Sequence, residues 1–292
     1  MRILLAEPRG FCAGVTRAVQ SLERAVQEFG APIYVYHEIV HNTRIVEDFC
    51  RKGVIFVDTL DEVPCGSRLI FSAHGVSPEI RNIANDRSLE TIEATCPLVN
   101  SVHQNALDYA RKGYKIILLG HRSHDEIVGV VGEAPDSICV VENTEEIEAL
   151  VFDKTDKLAY LTQTTLSLKE TFQQIELLKK RFPKIVGPSQ SNICHATQSR
   201  QEVIQKHCSK TDMVIVIGSR SSSNSRRLAE QAEQLNVRSC LVDGAEDIPL
   251  NELTGSETIL ITAGASAPEH LVQECVSLLK NRFDVKHAET VT

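Results

Sequence analysis

An α/β fold with mostly parallel sheets, built as three similar small α/β domains, is predicted by three features of the sequence. Its strand-sized segments are continuous apolar runs rather than alternating ones, as strands buried on both faces are. Helical patterns separate them, which is the alternation of parallel βαβ units. An order of cysteine, helix, strand and polar loop also recurs three times along the chain. The chain has 292 residues, 42% hydrophobic and 24% charged, so it can bury a core without disulfide or metal staples and lies far from a disordered composition.

The strand runs are Ile3–Leu5, Ile33–Tyr36, Val54–Val57, Leu69–Ser72, Ile116–Leu119, Ile138–Val141, Leu158–Leu161, Met213–Ile217, Arg238–Val242 and Ile259–Thr262. Helical patterns cover Thr16–Phe29, Leu98–Arg111, Leu168–Phe182, Gln198–Cys208, Ser225–Leu235 and Pro268–Phe283. Each repeat opens with a cysteine ahead of a helix, at Cys12, Cys96 and Cys194. A strand then ends in a polar loop: His37 to Asn42, His121 to Glu126, and Ser219 to Asn224. A later strand ends in a second one: Ser72 to Gly75, Thr162 to Thr165, and Thr262 to Ser266. These repeats divide the chain into domains at 1–95, 96–193 and 194–283, with a polar tail over 284–292.

The net charge of -8 gives no electrostatic drive to coat nucleic acid. The densest basic stretch, Lys179, Lys180, Arg181 and Lys184, closes a helical pattern and complements its dipole. The N-terminal apolar run Ile3 to Ala6 is too short for a signal peptide, and no run is long enough to span a bilayer. A cytoplasmic location is expected, and there cysteines are thiols or metal ligands rather than bridges. The nine cysteines are an odd number and include no C-x-x-C, which excludes the usual zinc knuckle, thioredoxin motif and ferredoxin run.

Cys139, Cys240 and Cys275, inside strand or helix patterns, and Cys50 and Cys208, at helix ends, read as small buried apolar residues, and Cys65 as a turn residue. Cys12, Cys96 and Cys194 differ, because each sits where the chain enters a helix, a boundary that Pro97 marks clearly. Helix N-terminal amides favour the thiolate that attacks or binds metal. Three soft thiolates without adjacent hard ligands favour an iron–sulfur cluster over zinc or copper. A [4Fe–4S] cube on three cysteines leaves one open iron as a Lewis acid. The alternative for any one of these cysteines alone is a plain buried thiol.

His41, His74 and His124 lie past strand C-terminal ends, the ligand edge of a parallel sheet. Ser222, Ser223, Asn224 and Ser266 hold matching positions in the third repeat. Together they are donors suited to a phosphate or diphosphate, although Ser222 to Asn224 also read as an ordinary helix cap. There is no G-x-x-x-x-G-K-[ST] and no G-x-G-x-x-G, which argues against an ATPase or a Rossmann dehydrogenase. Glu126, near the hydroxyls of Thr164 and Thr165, can relay protons, or it is simply a first-turn acid.

In combination, Pro8-Arg9-Gly10-Phe11-Cys12-Ala13-Gly14, Tyr36-His37-Glu38-Ile39-Val40-His41-Asn42, Ser72-Ala73-His74-Gly75, Ala94-Thr95-Cys96-Pro97, Thr162-Gln163-Thr164-Thr165, Ser222-Ser223-Asn224-Ser225 and Thr262-Ala263-Gly264-Ala265-Ser266 are specific. The chain resembles the LytB/IspH family, the 4-hydroxy-3-methylbut-2-enyl diphosphate reductases of the methylerythritol phosphate isoprenoid pathway, from Met1 to about Arg282. The resemblance implies a cloverleaf of three domains around a central [4Fe–4S] cluster. It implies Cys12, Cys96 and Cys194 as cluster ligands, and His41, His74, His124, Ser222, Ser223, Asn224 and Ser266 around a substrate diphosphate. It implies Glu126 as the proton-delivering acid, with Thr164 on the substrate hydroxyl, which binds the open iron. The implied reaction removes an allylic hydroxyl, taking two electrons and two protons, and gives isopentenyl and dimethylallyl diphosphates. Ferredoxin or flavodoxin would donate the electrons. Two rivals remain at this point: a hydro-lyase, which would need arginines for carboxylates and no reductant, and a non-catalytic iron–sulfur sensor, which would carry a partner-binding domain.

Overall fold

The protein is described by a computed structural model covering residues 1–292. In chain order the elements are β1 (Arg2–Ala6), α1 (Ala13–Phe29), β2 (Ile33–Tyr36), α2 (Thr43–Arg51), β3 (Val54–Val57), β4 (Arg68–Phe71), α3 (Pro78–Asp86) and β5 (Glu90–Glu93). Then follow α4 (Pro97–Arg111), β6 (Tyr114–Leu119), α5 (Asp125–Glu133), β7 (Ile138–Val141), α6 (Thr144–Ala149), β8 (Lys157–Thr162) and α7 (Leu168–Arg181). The last are α8 (His195–His207), β9 (Met213–Ile217), α9 (Ser223–Gln234), β10 (Arg238–Val242), β11 (Thr258–Ala263), α10 (Glu269–Arg282) and β12 (His287–Val291). No helix is long and apolar enough to cross a membrane.

Every named strand pairing is parallel, within three sheets of order β10-β9-β11-β1-β12, β3-β2-β4-β5 and β7-β6-β8. The expected α/β class with parallel sheets is therefore what the chain adopts. Contacts group the residues into two units: Met1–Val15, His41–Glu47 and His195–Thr292 in one, Thr16–Val40 and Asp48–Cys194 in the other.

The first unit holds the five-stranded sheet. Alternate residues of its strands build its two faces. Ile3, Ile215, Ile217, Ile259 and Ile261 pack with Leu271, Val272, Cys275, Val276 and Leu279 of α10. Leu4, Ala6, Val214, Val216 and Leu260 pack with Val203 and Ile204 of α8 and Leu228 and Ala232 of α9. With both faces covered, all five residues of β9 are buried, which is why that run reads as uninterrupted apolar sequence.

Two expectations need correction here. Residues 284–292 are not a tail, because β12 pairs with β1 in register, Arg2 opposite His287 through Ala6 opposite Val291. Its sequence, His-Ala-Glu-Thr-Val, is polar because it is a mostly exposed edge strand whose backbone, not its side chains, does the binding. The boundary at 95 also fails to follow the sheets. β1 lies between β11 and β12, so Met1–Val15 fold with His195–Thr292 and, of residues 16–95, only with His41–Glu47.

The second unit contains the four- and three-stranded sheets. Ile116, Leu118 and Leu161 pack with Val102 and Ala106 of α4 and Ile127 and Val130 of α5. On the other face Ile117 and Leu119 meet Ile147 of α6 and Leu178 of α7. Tyr34, Leu69 and Phe71 build the core of the four-stranded sheet with Val76 and Ala84. Caps fix the helix starts: Ser77 Oγ accepts from Ile80 N ahead of Pro78, and Ser167 Oγ accepts from Glu170 N. Because neighbouring strands run parallel, the loops carrying the candidate residues leave each sheet at one edge.

Candidate active site

Cys12 and Cys194 directly precede α1 and α8, and Cys96 is the N-cap of α4. Each of these helices starts one to three residues earlier than the sequence pattern predicts, so each thiol lies at the helix entrance itself. Each cysteine makes the same backbone contact. Its N–H donates to a carbonyl in a loop past a strand end: Cys12 to Ala265 O at 3.1 Å, Cys96 to Ala73 O at 3.0 Å, and Cys194 to Thr164 O at 2.9 Å.

This pairing does not follow chain order. The sequence repeats group Cys12 with the 72–75 loop, Cys96 with 162–165 and Cys194 with 262–266; the hydrogen bonds move each cysteine to the previous loop in a cycle. The reason is strand adjacency. β1, which leads to Cys12, is parallel to β11, and β5, which leads to Cys96, is parallel to β4. The segment leading to Cys194 makes a parallel bridge from Val186 to Ala159 of β8. Each cysteine thus arrives beside the strand whose end loop it bonds.

In the first unit the 263–266 loop collects the candidate residues. Gly10, at φ +66°, turns the chain toward Cys12, and a Cβ there would stand 3.1 Å from Ala267 O. Gly10 O accepts from Arg200, and Arg9 is tied to Glu269 at 2.7 Å. Val15 N donates to Cys12 Sγ at 3.4 Å. Ser266 Oγ donates to His41 O at 2.8 Å, and Ala265 N donates to Asn224 Oδ1 at 2.9 Å. Ser222 is the N-cap of α9, accepting from Ser225 N at 3.3 Å. Ser222, Ser223, Asn224 and Ser266 are all buried, and the Ser223 hydroxyl has no hydrogen-bond partner.

In the second unit Glu126, only 2% exposed, lies in the first turn of α5. Its Oε1 accepts from Thr164 N and its Oε2 from Thr164 Oγ1, both at 2.7 Å. Gln163, fully buried, accepts from His121 N at 3.0 Å and donates to Thr165 Oγ1 at 3.0 Å, locking the two strand-end loops together. His124 Nδ1 accepts from Glu126 N at 3.2 Å as the helix N-cap, so Nε2 is the protonated nitrogen of that ring. The His74 and His124 rings meet edge to face at 5.9 Å.

Sequence reasoning passed over two pairs nearby. His37 Nδ1 lies 2.8 Å from Asp125 Oδ1, with His37 at φ +56°, a left-handed conformation that costs a non-glycine residue about 1–2 kcal/mol. The hydrogen bond to Asp125 raises the His37 pKa above the ordinary histidine value, outweighing burial. His103 Nδ1 lies 2.7 Å from Glu133 Oε1, while its buried Nε2 has no partner and faces Gly75. Asp125-Glu126 as adjacent first-turn acids, and a histidine midway along the apolar face of α4, were the available signals.

The other cysteines separate from the three at helix entrances. All nine are free, and Cys12, Cys96 and Cys194 are part-exposed. Burial pushes the thiols of Cys208 and Cys240 up to about 11 and that of Cys275 to about 12, which disfavours their thiolates, although Cys240 is part-exposed like the three. Cys50 and Cys139, expected to be buried, are exposed. Cys139 sits on edge strand β7, where one face meets solvent, and Cys50 lies near the end of α2.

The sequence model of the LytB protein family matches residues 3–280. A 4-hydroxy-3-methylbut-2-enyl diphosphate reductase of Rhodopirellula baltica is 51% identical over 284 residues, 97% of this chain and 89% of that protein. The reductase of the same name from Chlamydia muridarum is 49% identical, covering 99% of this chain and 94% of its own length. Among solved structures, the E-1-hydroxy-2-methyl-but-2-enyl-4-diphosphate reductase of Plasmodium falciparum superposes with a TM-score of 0.95 at 40% identity, over 100% of this chain and 92% of that one. A second, (E)-4-hydroxy-3-methyl-but-2-enyl diphosphate reductase, the terminal enzyme of the non-mevalonate pathway, gives a TM-score of 0.68 at 30% identity, over 96% of this chain and 100% of that one. Likeness of this extent, in sequence and in fold over nearly the whole chain, means that the chain belongs to the LytB protein family.

Proposed function

We infer that this chain is a 4-hydroxy-3-methylbut-2-enyl diphosphate reductase, converting that allylic diphosphate to isopentenyl and dimethylallyl diphosphates at the end of the non-mevalonate pathway. The observation that carries the site reading is the repeated cysteine contact: three part-exposed thiols at helix entrances, each anchored by its own N–H to a strand-end loop that bears a candidate polar residue. The chemistry of that donor set fits an iron–sulfur cluster, with Cys12, Cys96 and Cys194 as the ligands. The N–H donated to Cys12 Sγ suits a thiolate, whereas Cys208, Cys240 and Cys275 are desolvated and unsuited to ligation. When bound, a [4Fe–4S] cluster on three cysteines would supply electrons one at a time and a Lewis-acidic iron without a protein thiolate.

The chain's own residues do the rest. The diphosphate is assigned to His41, His74, His124, Ser222, Ser223, Asn224 and Ser266, whose donors can grip it without a surplus of positive charge. The unpartnered Ser223 hydroxyl supports this, since a buried donor without a partner is costly unless a ligand accepts from it. The His124 tautomer leaves an Nε2–H to donate. Glu126, once it has taken up a proton, passes it to Thr164 Oγ1 along the hydrogen bond they share, and the Thr164 hydroxyl proton goes on to the departing hydroxyl. The balance is R–OH plus two electrons plus two protons giving R–H and water. Arg9 is engaged with Glu269 and Arg200 with the Gly10 carbonyl, so neither is set out as the carboxylate clamp a hydro-lyase would need. Ferredoxin or flavodoxin is the proposed electron donor, and nine free thiols accord with a cytoplasmic setting.

The test is anaerobic purification with iron counted per chain, followed by substrate and a reduced dye with the products identified. Four irons per chain in the wild type, their loss in Cys96→Ser, and reductant-dependent formation of both diphosphates are expected. Full iron content in Cys96→Ser, or product formation without reductant, overturns the reading.

A further inference from the structure

Asp125, the first residue of α5, faces two imidazoles with its two carboxylate oxygens. Oδ1 receives His37 Nδ1 at 2.8 Å, and Oδ2 stands 3.9 Å from His74 Nδ1. The two histidines come from loops after neighbouring strands β2 and β4, so this one carboxylate ties a pair of strand ends to a helix from the next sheet. His74 Nδ1 is also 3.3 Å from Ser72 Oγ. His37 stacks on Tyr36 at 4.0 Å and holds its left-handed backbone there, a strained arrangement with no role in the function proposed above. The hydrogen bond to Asp125 raises the His37 pKa, which strengthens that pairing.

We propose that Asp125 is a positioning residue for substrate binding: buttressed by His37, it fixes the ring of His74 from the Nδ1 side, so that Nε2 is presented to a diphosphate oxygen. This rests on the assignment of His74 to the diphosphate. A carboxylate on the Nδ1 side of an imidazole holds the ring and leaves its Nε2 to meet the ligand. Glu126, the next residue, turns to Thr164 with both of its oxygens.

The experiment is a double-mutant cycle on the cluster-loaded enzyme with Asp125→Asn and His74→Ala, reading substrate Kd by calorimetry, KM and kcat, and competition by inorganic pyrophosphate. Asp125→Asn is near-isosteric and keeps an N-terminal helix position. It is expected to raise Kd, KM and the pyrophosphate inhibition constant about tenfold, with kcat held within about twofold. In the His74→Ala background the same substitution should add less than about twofold. If His74→Ala weakens binding but Asp125→Asn does not, or if the two losses simply multiply, Asp125 does not act through His74 and the proposal is overturned while the diphosphate assignment stands. If His74→Ala leaves binding intact, the diphosphate assignment of His74 fails and the proposal with it. His37→Gln is the second variant: removing the buttress should give a smaller rise in Kd of the same kind, and a fall in kcat with unchanged Kd in either variant overturns the proposal.

Discussion

Replacing Glu126 by Gln changes one atom and separates proton delivery from packing. In the native chain both carboxylate oxygens accept, one from Thr164 N and one from Thr164 Oγ1, each at 2.7 Å. Gln keeps an oxygen for the amide but must offer an NH2 to the hydroxyl, so that hydrogen bond survives with its direction reversed. Two charge-assisted hydrogen bonds become two neutral ones, a loss of about 1–2 kcal/mol in all. That corresponds to a fall in Tm of roughly 2–8 °C, which a chain with three packed sheets tolerates. Turnover is another matter. Gln cannot take up a proton and pass it on to Thr164 Oγ1, so kcat should fall about 10²–10⁴-fold. Substrate binding and iron content should stay close to native, because neither the diphosphate donors nor the cysteines are touched. The assay is single-turnover product formation under reductant, with calorimetric binding and iron analysis on the same preparation. A turnover number within about twofold of native, at native iron content, would refute a role for Glu126 in proton delivery.

Three further outcomes test other parts of the molecule. Ser223→Ala removes a buried hydroxyl with no partner, so Tm should hold or rise slightly while the substrate KM increases about tenfold; an unchanged KM would free Ser223 from the diphosphate. Gly75→Ala must place a Cβ at φ +75°, 2.9 Å from His103 Nε2 and 3.3 Å from Thr95 Cγ2, and should cost about 1–3 kcal/mol, seen as a lower denaturant midpoint; a native midpoint would mean that the His74–Gly75 loop yields more easily than its packing implies. The His37 pKa is raised in the folded chain, so the stabilisation from its pairing with Asp125 is complete below the ordinary histidine value and is lost as pH rises through the raised one. Denaturant midpoints measured from pH 5.5 to 8.5 should show that loss in the native chain and a flatter profile in His37→Gln; parallel profiles would remove the pair as its source.

Much of the fold was legible because its central strands are buried on both faces and cannot alternate: β9 is all apolar, and β6 ends in four buried aliphatic residues. The same rule hides edge strands. β5 is Glu-Thr-Ile-Glu and β12 is His-Ala-Glu-Thr-Val, mostly exposed, and backbone pairing places them where side-chain hydrophobicity cannot. The three cysteines stood out because a helix entrance has a local signature, Pro97 being the clearest case. Their loop partners did not stand out, since Cys12 bonds Ala265 from the far end of the chain and no local pattern encodes which strands will be neighbours. Burial of single cysteines was equally out of reach: Cys139 and Cys240 both lie in strand runs, yet only Cys139 is exposed.

The adjacent acids Asp125 and Glu126 show how one helix start can serve two chemistries. Successive residues on a helix point about 100° apart, so neighbours in sequence need not share an environment. Glu126 turns inward to a neutral hydroxyl and an amide, partners that hold a carboxyl in place without supplying a counter-charge. Asp125 turns to two imidazoles, and its hydrogen bond to the nearer one raises the His37 pKa. A group that must give up and regain a proton is best kept from fixed cations, whereas a group that must stay charged is best placed among them. Exchanging the two residues, Asp125→Glu with Glu126→Asp, keeps composition and net charge yet should damage both functions: the shorter acid no longer reaches Thr164, and the longer one displaces His37 and His74. Near-native kcat and KM in that double variant would mean that the site needs only two carboxylates at the start of α5, and the separate roles assigned to them here would fall together.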